Sequence, residues 1–220
     1  MHRMLCLVVL ALLALARPAA AITGGQVSNF QDGSLQGWVT GANAPLPTNV
    51  ATGGPAGAGD RYILVQPLSH LAVFNPSTDW SGNYQSAGVL DVGVDFLNPN
   101  ANTAANLAKM RVVLFGPTGS RWTSSSFVTV PTDNLWHHYT FSLRQSDLTE
   151  VLGSDPYATT FTGVTQIMFR HDDGTSPPGV GGGTPFTGNI GVDNVAAIVP
   201  EPVGLAGIIA SAMILRRRRR

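Results

Sequence analysis

The chain has 220 residues with 13 basic and 13 acidic side chains, one cysteine, 25 glycines and 15 prolines. Seven of the basic residues lie near the two ends, so residues 22–199 carry six basic and twelve acidic side chains. An acidic, lysine-poor region lacks the basic face that nucleic-acid binding requires. It contains no cysteine, which excludes disulfides and cysteine metal sites. A region of this length can bury a hydrophobic core without them.

The N-terminal segment begins with His2 and Arg3, continues with an apolar run over residues 4–16 and closes on small residues. This order is typical of a secretory signal peptide over residues 1–21, with Ala19 and Ala21 forming the cleavage site. The run is too short for a comfortable membrane span. The alternative is a buried N-terminal helix, which would need a large core because the run is apolar on every side.

Between the ends, short runs with alternating apolar residues predict β-strands. The clearest are VLDVGVDFL (residues 89–97) and WHHYTFSL (residues 136–143). Turn sequences separate the strands, and only residues 102–109 and 144–152 favour a turn or two of helix. Strands without alternating helices predict an all-β, antiparallel β-sandwich over residues 22–198, and the resemblance described next implies a jelly roll. Further strands are predicted over residues 26–30, 37–40, 62–66, 109–116, 164–171 and 188–198.

Four motifs occur in a characteristic order: FQDGSLQGW, GGPAGAGDRYILVQ, LWHHYTFSL and GNIGVDNV. This order resembles the laminin B (laminin IV type) module and the wider group of galactose-binding-like jelly rolls. The segment over residues 172–188, DDGTSPPGVGGGTPFTG, departs from a compact jelly roll, and we interpret it as a surface loop.

Jelly rolls of this group often carry one structural ion where the first and last strands meet, so the resemblance implies a calcium site. Asp32 and Asp193 lie at these two ends, and Asp60 lies in the glycine-rich loop. Carboxylate and carbonyl oxygens are suitable calcium ligands. The alternative is that Asp32 forms a turn and that Asp193 and Asn194 cap a bulge. No other cofactor is expected.

The sequence contains no G-x-S-x-G or H-E-x-x-H motif, so we predict that the domain is not an enzyme. His137 and His138 are neighbours on a predicted strand and point to opposite faces, which disfavours a metal pair. Glu150 is the only glutamate within residues 22–199. A carbohydrate-active enzyme with paired carboxylates remains an alternative.

Tryptophan side chains are the candidates for contact with a glycan. Most of the four, Trp38, Trp80, Trp122 and Trp136, are expected in or beside the core. Trp136 alternates with the apolar face of its strand, so it is the best candidate for glycan contact, and Trp122, beside Arg121, is the next. We expect a non-enzymatic surface domain that contacts polysaccharide. The alternatives are a dedicated lectin-like binding module and a structural surface protein without a ligand.

The chain ends in VPEPVGLAGIIASAMILRRRRR, residues 199–220. The apolar part would form a helix of about 20 Å, against a hydrocarbon core of about 30 Å. We therefore predict a single short transmembrane helix that spans marginally, with its arginines on the cytoplasmic side. The alternative is a plain tail anchor.

The order of triplet, apolar segment and arginine cluster resembles the PEP-CTERM sorting signal. The resemblance implies a protein exported by a Gram-negative bacterium, anchored transiently and cleaved near the triplet by an exosortase. It would then act at the cell surface or in the extracellular matrix, where exopolysaccharide is the expected partner. The residues implied in sorting and processing are Val199, Pro200, Glu201, Pro202, Arg216, Arg217, Arg218, Arg219 and Arg220.

Overall fold

A computed structural model describes residues 21–41, 44–101, 103, 106–174 and 183–201. These residues form two antiparallel sheets, one short helix α1 (Tyr157–Thr162) and 3-10 turns at Thr78–Trp80 and Gln145–Asp147. The strands are β1 (Val27–Ser28), β2 (Val39–Thr40), β3 (Thr48–Val50), β4 (Tyr62–Val65), β5 (Ala72–Asn75), β6 (Asp91–Leu97), β7 (Ala108–Phe115), β8 (Arg121–Ser124), β9 (Val128–Val130), β10 (Trp136–Ser142), β11 (Leu148–Leu152), β12 (Gln166–His171) and β13 (Ile190–Ile198).

The six-stranded sheet has the order β10-β6-β13-β4-β3, and β1 also pairs with β13. Strand β10 pairs with β6 over seven consecutive residues, so the outward positions of the two strands form regular rows. Strand β13 has an irregular register between Asp193 and Ala196, where Asn194 adopts a φ of 47°. On the side of β13 that faces away from β6, the paired strand is β4 before this bulge and β1 after it.

The seven-stranded sheet has the order β11-β8-β7-β12-β5-β2, and β9 also pairs with β7. Both faces of its central strands are buried, which is typical of strands with nearly continuous apolar runs. On the outer face, Arg111 of β7 lies directly opposite Arg170 of β12. Arg111 is 1% exposed, and Arg170 and Asp172 are 0% exposed.

The inner faces of the two sheets form the core. Trp38 stacks on Phe169, with ring centroids 5.8 Å apart, and meets Trp80 edge to face at 5.7 Å. Phe96 of the six-stranded sheet contacts the same Phe169 at 5.6 Å, so one aromatic cluster joins the two layers. Aromatic pairs of this kind contribute about 0.5–1.5 kcal/mol beyond the burial of their area.

The predicted antiparallel sandwich is confirmed, and each predicted strand overlaps an observed one. The sequence did not predict β3, β5, β8, β9, β11 or helix α1. Residues 144–152 form a 3-10 turn followed by β11, because pairing with β8 outweighs the local helical preference. Residues 102–109 lie partly outside the described residues, and their last two residues begin β7.

Candidate functional site

The outer face of the six-stranded sheet carries two aromatic rings in contact, Trp136 of β10 and Tyr62 of β4. Their centroids are 5.1 Å apart at an interplanar angle of 78°, and both side chains are partly exposed. The Nε1 of Trp136 donates a hydrogen bond of 2.9 Å to the carbonyl oxygen of Gly53 in the glycine-rich loop. We call this pair the aromatic platform.

A glycine lets the two rings meet across the sheet. Trp136, Leu97 and Gly191 occupy one row of β10, β6 and β13. A Cβ on Gly191 would lie 3.0 Å from Cη2 of Trp136 and 3.3 Å from Cε2 of Tyr62, closer than side chains normally approach. A glycine inside a strand marks such a close approach, so Gly191 is needed for the two rings of the platform to meet.

The next row of the same face is polar. His138 of β10 lies opposite Asp95 of β6, which lies opposite Asp193 of β13. The Nδ1 of His138 is 2.7 Å from Oδ1 of Asp95, and the Nδ2 of Asn194 donates to Oδ2 of Asp95 at 2.8 Å. The His138 side chain is 59% exposed. Imidazole, amide and carboxylate groups therefore stand beside the platform, as hydrogen-bonding partners for hydroxyl groups.

Asp193 is fully buried, and its Oδ2 has no hydrogen-bond partner. Its Oδ1 accepts a hydrogen bond of 2.7 Å from the backbone N–H of Asn194. Burial raises the pKa of Asp193 to about 7, and the negative charges of Asp60 and Asp95 act in the same direction. We call Asp60, Asp95 and Asp193 the carboxylate cluster.

Of the three residues expected to bind calcium, only Asp193 has a buried oxygen without a hydrogen-bond partner, and this Oδ2 fits the role of a cation ligand. Both oxygens of Asp60 accept hydrogen bonds, from Nε2 of Gln31 and from the backbone N–H of Ala56 at 2.7 Å. Both oxygens of Asp32 accept hydrogen bonds from Ser34, with which Asp32 forms a turn, as the alternative interpretation expected. Asp193 and Asn194 likewise form the expected bulge.

Asp32 instead lines a recess of about 420 Å³ together with Asp79 and Trp80. Within the described residues, no group of three or more histidine, cysteine or acidic side chains is arranged to hold a metal ion. Any calcium site would therefore depend on the unpartnered Oδ2 of Asp193 together with carbonyl oxygens.

Trp122, the second candidate for glycan contact, lies on β8 of the other sheet. Its ring is partly buried against the core, 5.6 Å from Tyr157, and its Nε1 donates to the carbonyl oxygen of Asp155 at 3.1 Å. Trp38 and Trp80 are buried in the core. Of the four tryptophans, Trp136 therefore has the environment that best suits a ligand.

The histidines have local partners. His137 points to the opposite face from His138, as expected, and its Nε2 is 2.9 Å from Oδ2 of Asp133. The Nδ1 of His171 accepts a hydrogen bond from the backbone N–H of Lys109 at 2.9 Å, and burial lowers the pKa of this histidine. His171 also packs against Phe186 at 4.8 Å. These contacts stabilise the fold and place no histidine pair on one face.

The sorting and signal residues lie mostly outside the described residues. Val199 is 46% exposed, and Glu201 is exposed. They follow directly after Ile198, whose carbonyl oxygen accepts a hydrogen bond from Leu90 at 3.1 Å, so the triplet begins immediately where β13 ends. Among the residues with a described position, no helix is long and apolar enough to cross a membrane.

Comparison with solved structures identifies the fold. The chain resembles the family 11 carbohydrate-binding module of a cellulosomal cellulase from Clostridium thermocellum, with 15% identity and a TM-score of 0.50. The match covers 83% of this chain and 99% of that chain. The chain also resembles part of an exo-β-agarase, with 9% identity and a TM-score of 0.53 over 82% of this chain and 25% of that chain.

At these identities the similarity shows the fold alone, a jelly-roll β-sandwich of the type found in carbohydrate-binding modules. No protein-family model matches the sequence, and a search of curated proteins finds no match. The sequence reasoning missed Tyr62, Asp95 and Gly191. Only Gly191 had a signal in the sequence, as a glycine at an outward position of the predicted strand GNIGVDNV.

Proposed function

We propose that this protein is an exported, non-enzymatic domain that binds polysaccharide on the outer face of its six-stranded sheet. The observation that carries the proposal is the aromatic platform beside a row of imidazole, amide and carboxylate groups. The carbohydrate-binding-module fold of the structural neighbour supports the same function.

The geometry of the platform suits a sugar ring. A pyranose presents an apolar C–H face and a rim of hydroxyl groups, so it can contact an aromatic ring while its rim forms hydrogen bonds. Trp136 is fixed by its hydrogen bond to Gly53 and by Tyr62, so little side-chain entropy is lost on binding. His138, Asp95 and Asn194 lie one row away, within reach of the hydroxyl groups of the same sugar.

The arrangement favours binding over hydrolysis. Both oxygens of Asp95 accept hydrogen bonds from neighbouring side chains, and Asp193 is buried. A glycosidase needs one acidic group that can reach the glycosidic oxygen and a second on the other side of the bond. Both oxygens of Asp60 likewise accept hydrogen bonds, so the described carboxylates beside the platform are engaged within the fold, and this face offers a recognition surface.

A glycan array followed by isothermal titration calorimetry tests the proposal on the protein comprising residues 22–199. The wild type should bind at least one class of polysaccharide, and Trp136→Ala should weaken that binding at least tenfold. Phe127→Ala is the matched control, because Phe127 is a 36% exposed aromatic residue that contacts Lys109 and Arg111, on the seven-stranded sheet. Binding to no glycan, or equal losses in both variants, would contradict the proposal.

We further propose that the ends of the chain direct this domain to the cell surface. Ala19 and Ala21 would mark removal of the signal peptide, and Pro200–Glu201–Pro202 with the terminal arginines would be read by an exosortase. Pro200 is partly exposed and Glu201 exposed, directly beyond the last strand, where a processing enzyme can reach them. The proline after Glu201 keeps that residue extended.

Mass spectrometry of the surface protein tests this route. The mature protein should begin at Ile22 and end near the Pro200–Glu201–Pro202 triplet. The Glu201→Ala variant should fold normally but remain uncleaved in the membrane fraction. Replacement of Arg216–Arg220 by serine should cause mis-sorting, because arginines resist transfer through the bilayer. A mature protein that still carries Arg220 would show that the tail is only an anchor.

A further inference from the structure

We infer that the aromatic platform selects polysaccharides that carry amino groups, such as partly de-N-acetylated hexosamine chains, over polysaccharides that carry carboxylates. This inference rests on the proposed function, since it names the class of sugar that the same site prefers. It is carried by the placement of charge around Trp136 together with the buried, unpartnered Oδ2 of Asp193.

Negative charge is concentrated on the face that bears the platform. Asp95 lies one row from Trp136, and Asp193 lies opposite Asp95 on the next strand. Asp60 precedes Tyr62 and interacts electrostatically with Asp193. Among the described residues, the only basic side chain paired with this cluster is the imidazole of His138, and no arginine or lysine pairs with it.

The permanent positive charges are held elsewhere. Four of the six basic residues within residues 22–199 belong to β7, β8 and β12 of the seven-stranded sheet. Arg144 pairs with Asp91 at 2.8 Å, at the end of β6 away from Trp136. Arg61, next to Tyr62 in the chain, donates to Oδ1 of Asn49 at 3.0 Å. Asn49 lies opposite the buried Ile63, on the other face of the sheet from Tyr62. Within the described part of the chain, no arginine or lysine forms an ion pair with Asp60, Asp95 or Asp193.

The same cluster attracts a cation. Oδ2 of Asp193 is buried without a hydrogen-bond partner, although a buried carboxylate oxygen is normally paired. An ammonium group bound near Asp95 would stabilise both carboxylates at once. The face of Trp136 adds a cation–π contribution of about two- to fivefold in affinity at an exposed site. A uronic-acid chain would meet repulsion at each of these positions.

The test compares three oligosaccharides of equal length by calorimetry, with a chelator present so that divalent cations do not neutralise the cluster. They are a glucosamine oligomer, its fully N-acetylated form and a galacturonate oligomer. The glucosamine oligomer should bind about five- to tenfold more tightly than the acetylated form at low salt. Added salt should reduce this ratio, and the galacturonate oligomer should bind most weakly.

Asp95→Asn should bring the ratio between the amino and acetylated oligomers close to one. Asp91→Asn is the control, because Asp91 lies on the same face of β6 but pairs with Arg144, and this variant should keep the ratio. Equal affinity of the wild type for the two oligomers, or a ratio that survives Asp95→Asn, would overturn the inference. Both results leave the proposed function standing, whereas loss of all glycan binding would remove the two together.

Discussion

Charged side chains are buried on the outer face of the seven-stranded sheet, whereas the outer face of the six-stranded sheet carries partly exposed aromatic and polar side chains. On the seven-stranded sheet, Arg111, Arg170 and Asp172 are at most 1% exposed. On the six-stranded sheet, Trp136 and Tyr62 are partly exposed and the side chain of His138 is 59% exposed, although Asp95 is only 9% exposed. The three charged groups of the first face are held in contacts within the fold, whereas the aromatic rings and the imidazole of the second face are accessible to a ligand.

Arg111 illustrates how the buried charges on the outer face of the seven-stranded sheet are paired. Its Nη1 donates to the carbonyl oxygens of Ser124 at 2.7 Å and Ser125 at 2.8 Å, and its Nη2 donates to Gly174 at 3.0 Å. Asp172 lies between the two arginines, 2.9 Å from Nη2 of Arg170 and 3.9 Å from Nε of Arg111. A buried arrangement of this kind is costly to break, because a charge left without its partner stays desolvated.

The largest effect should therefore come from Asp172→Ala. Removing the carboxylate from between two buried guanidinium groups should lower the free energy of unfolding by about 3–5 kcal/mol, measured by urea denaturation. Asp91→Ala removes an ion pair whose arginine is 46% exposed and should cost less than about 1 kcal/mol. Similar losses in the two variants would show that the two faces do not differ in this way.

A calcium ion bound through Asp193 would stabilise the protein at the six-stranded sheet. An ion bound only to the native state adds about 2.7 kcal/mol at a hundredfold excess over Kd, which should appear as a higher Tm. Asp193→Asn should abolish the increase and Asp32→Asn should retain it, because Oδ2 of Asp193 is unpartnered whereas both oxygens of Asp32 accept hydrogen bonds from Ser34. A Tm that does not respond to chelator would remove the calcium hypothesis.

Gly191→Val tests the contact between the two rings of the platform. The added side chain would collide with Trp136 and Tyr62, so we expect a loss of about 1–3 kcal/mol in stability and a loss of glycan affinity. Gly41→Ala is the control, since a Cβ there meets no atom within 4 Å. Unchanged glycan affinity in Gly191→Val would show that the platform does not contribute to glycan binding.

The last prediction concerns pH. Because the folded-state pKa of Asp193 is raised to about 7, the native protein binds more protons than the unfolded chain between about pH 4 and pH 7. In chelator, this carboxyl should therefore lower the free energy of unfolding as pH rises through that window. Asp193→Asn should flatten the profile there, and an unchanged slope would show that another group titrates.

The six-stranded sheet also shows which features of the fold and the site could be predicted from the sequence. Alternation along one strand is a local property, so β6 and β10 and the outward position of Trp136 were predictable. The partnership of Trp136 with Tyr62 depends on the order β10-β6-β13-β4, which no local pattern encodes. The turn that Asp32 forms with Ser34 is a local feature, and it was predictable from the sequence as the alternative to a calcium ligand.

The strands β8, β9 and β11 were missed although they are no shorter than the predicted β1 and β2. Their strand structure comes from pairing with β7 or β8. The buried arginines were also invisible in the sequence, since Arg111 and Arg170 are 59 positions apart and meet only through the register of β7 and β12.

The most direct test of the central claim is an NMR titration of the isotope-labelled domain with a glycan that it binds. The account predicts that the indole signal of Trp136 and the amide signals of Gly53, Gly191 and Asn194 shift with a common Kd, while those of Lys109, Arg121 and Phe127 stay in place. Shifts confined to this second group, on the seven-stranded sheet, would contradict it.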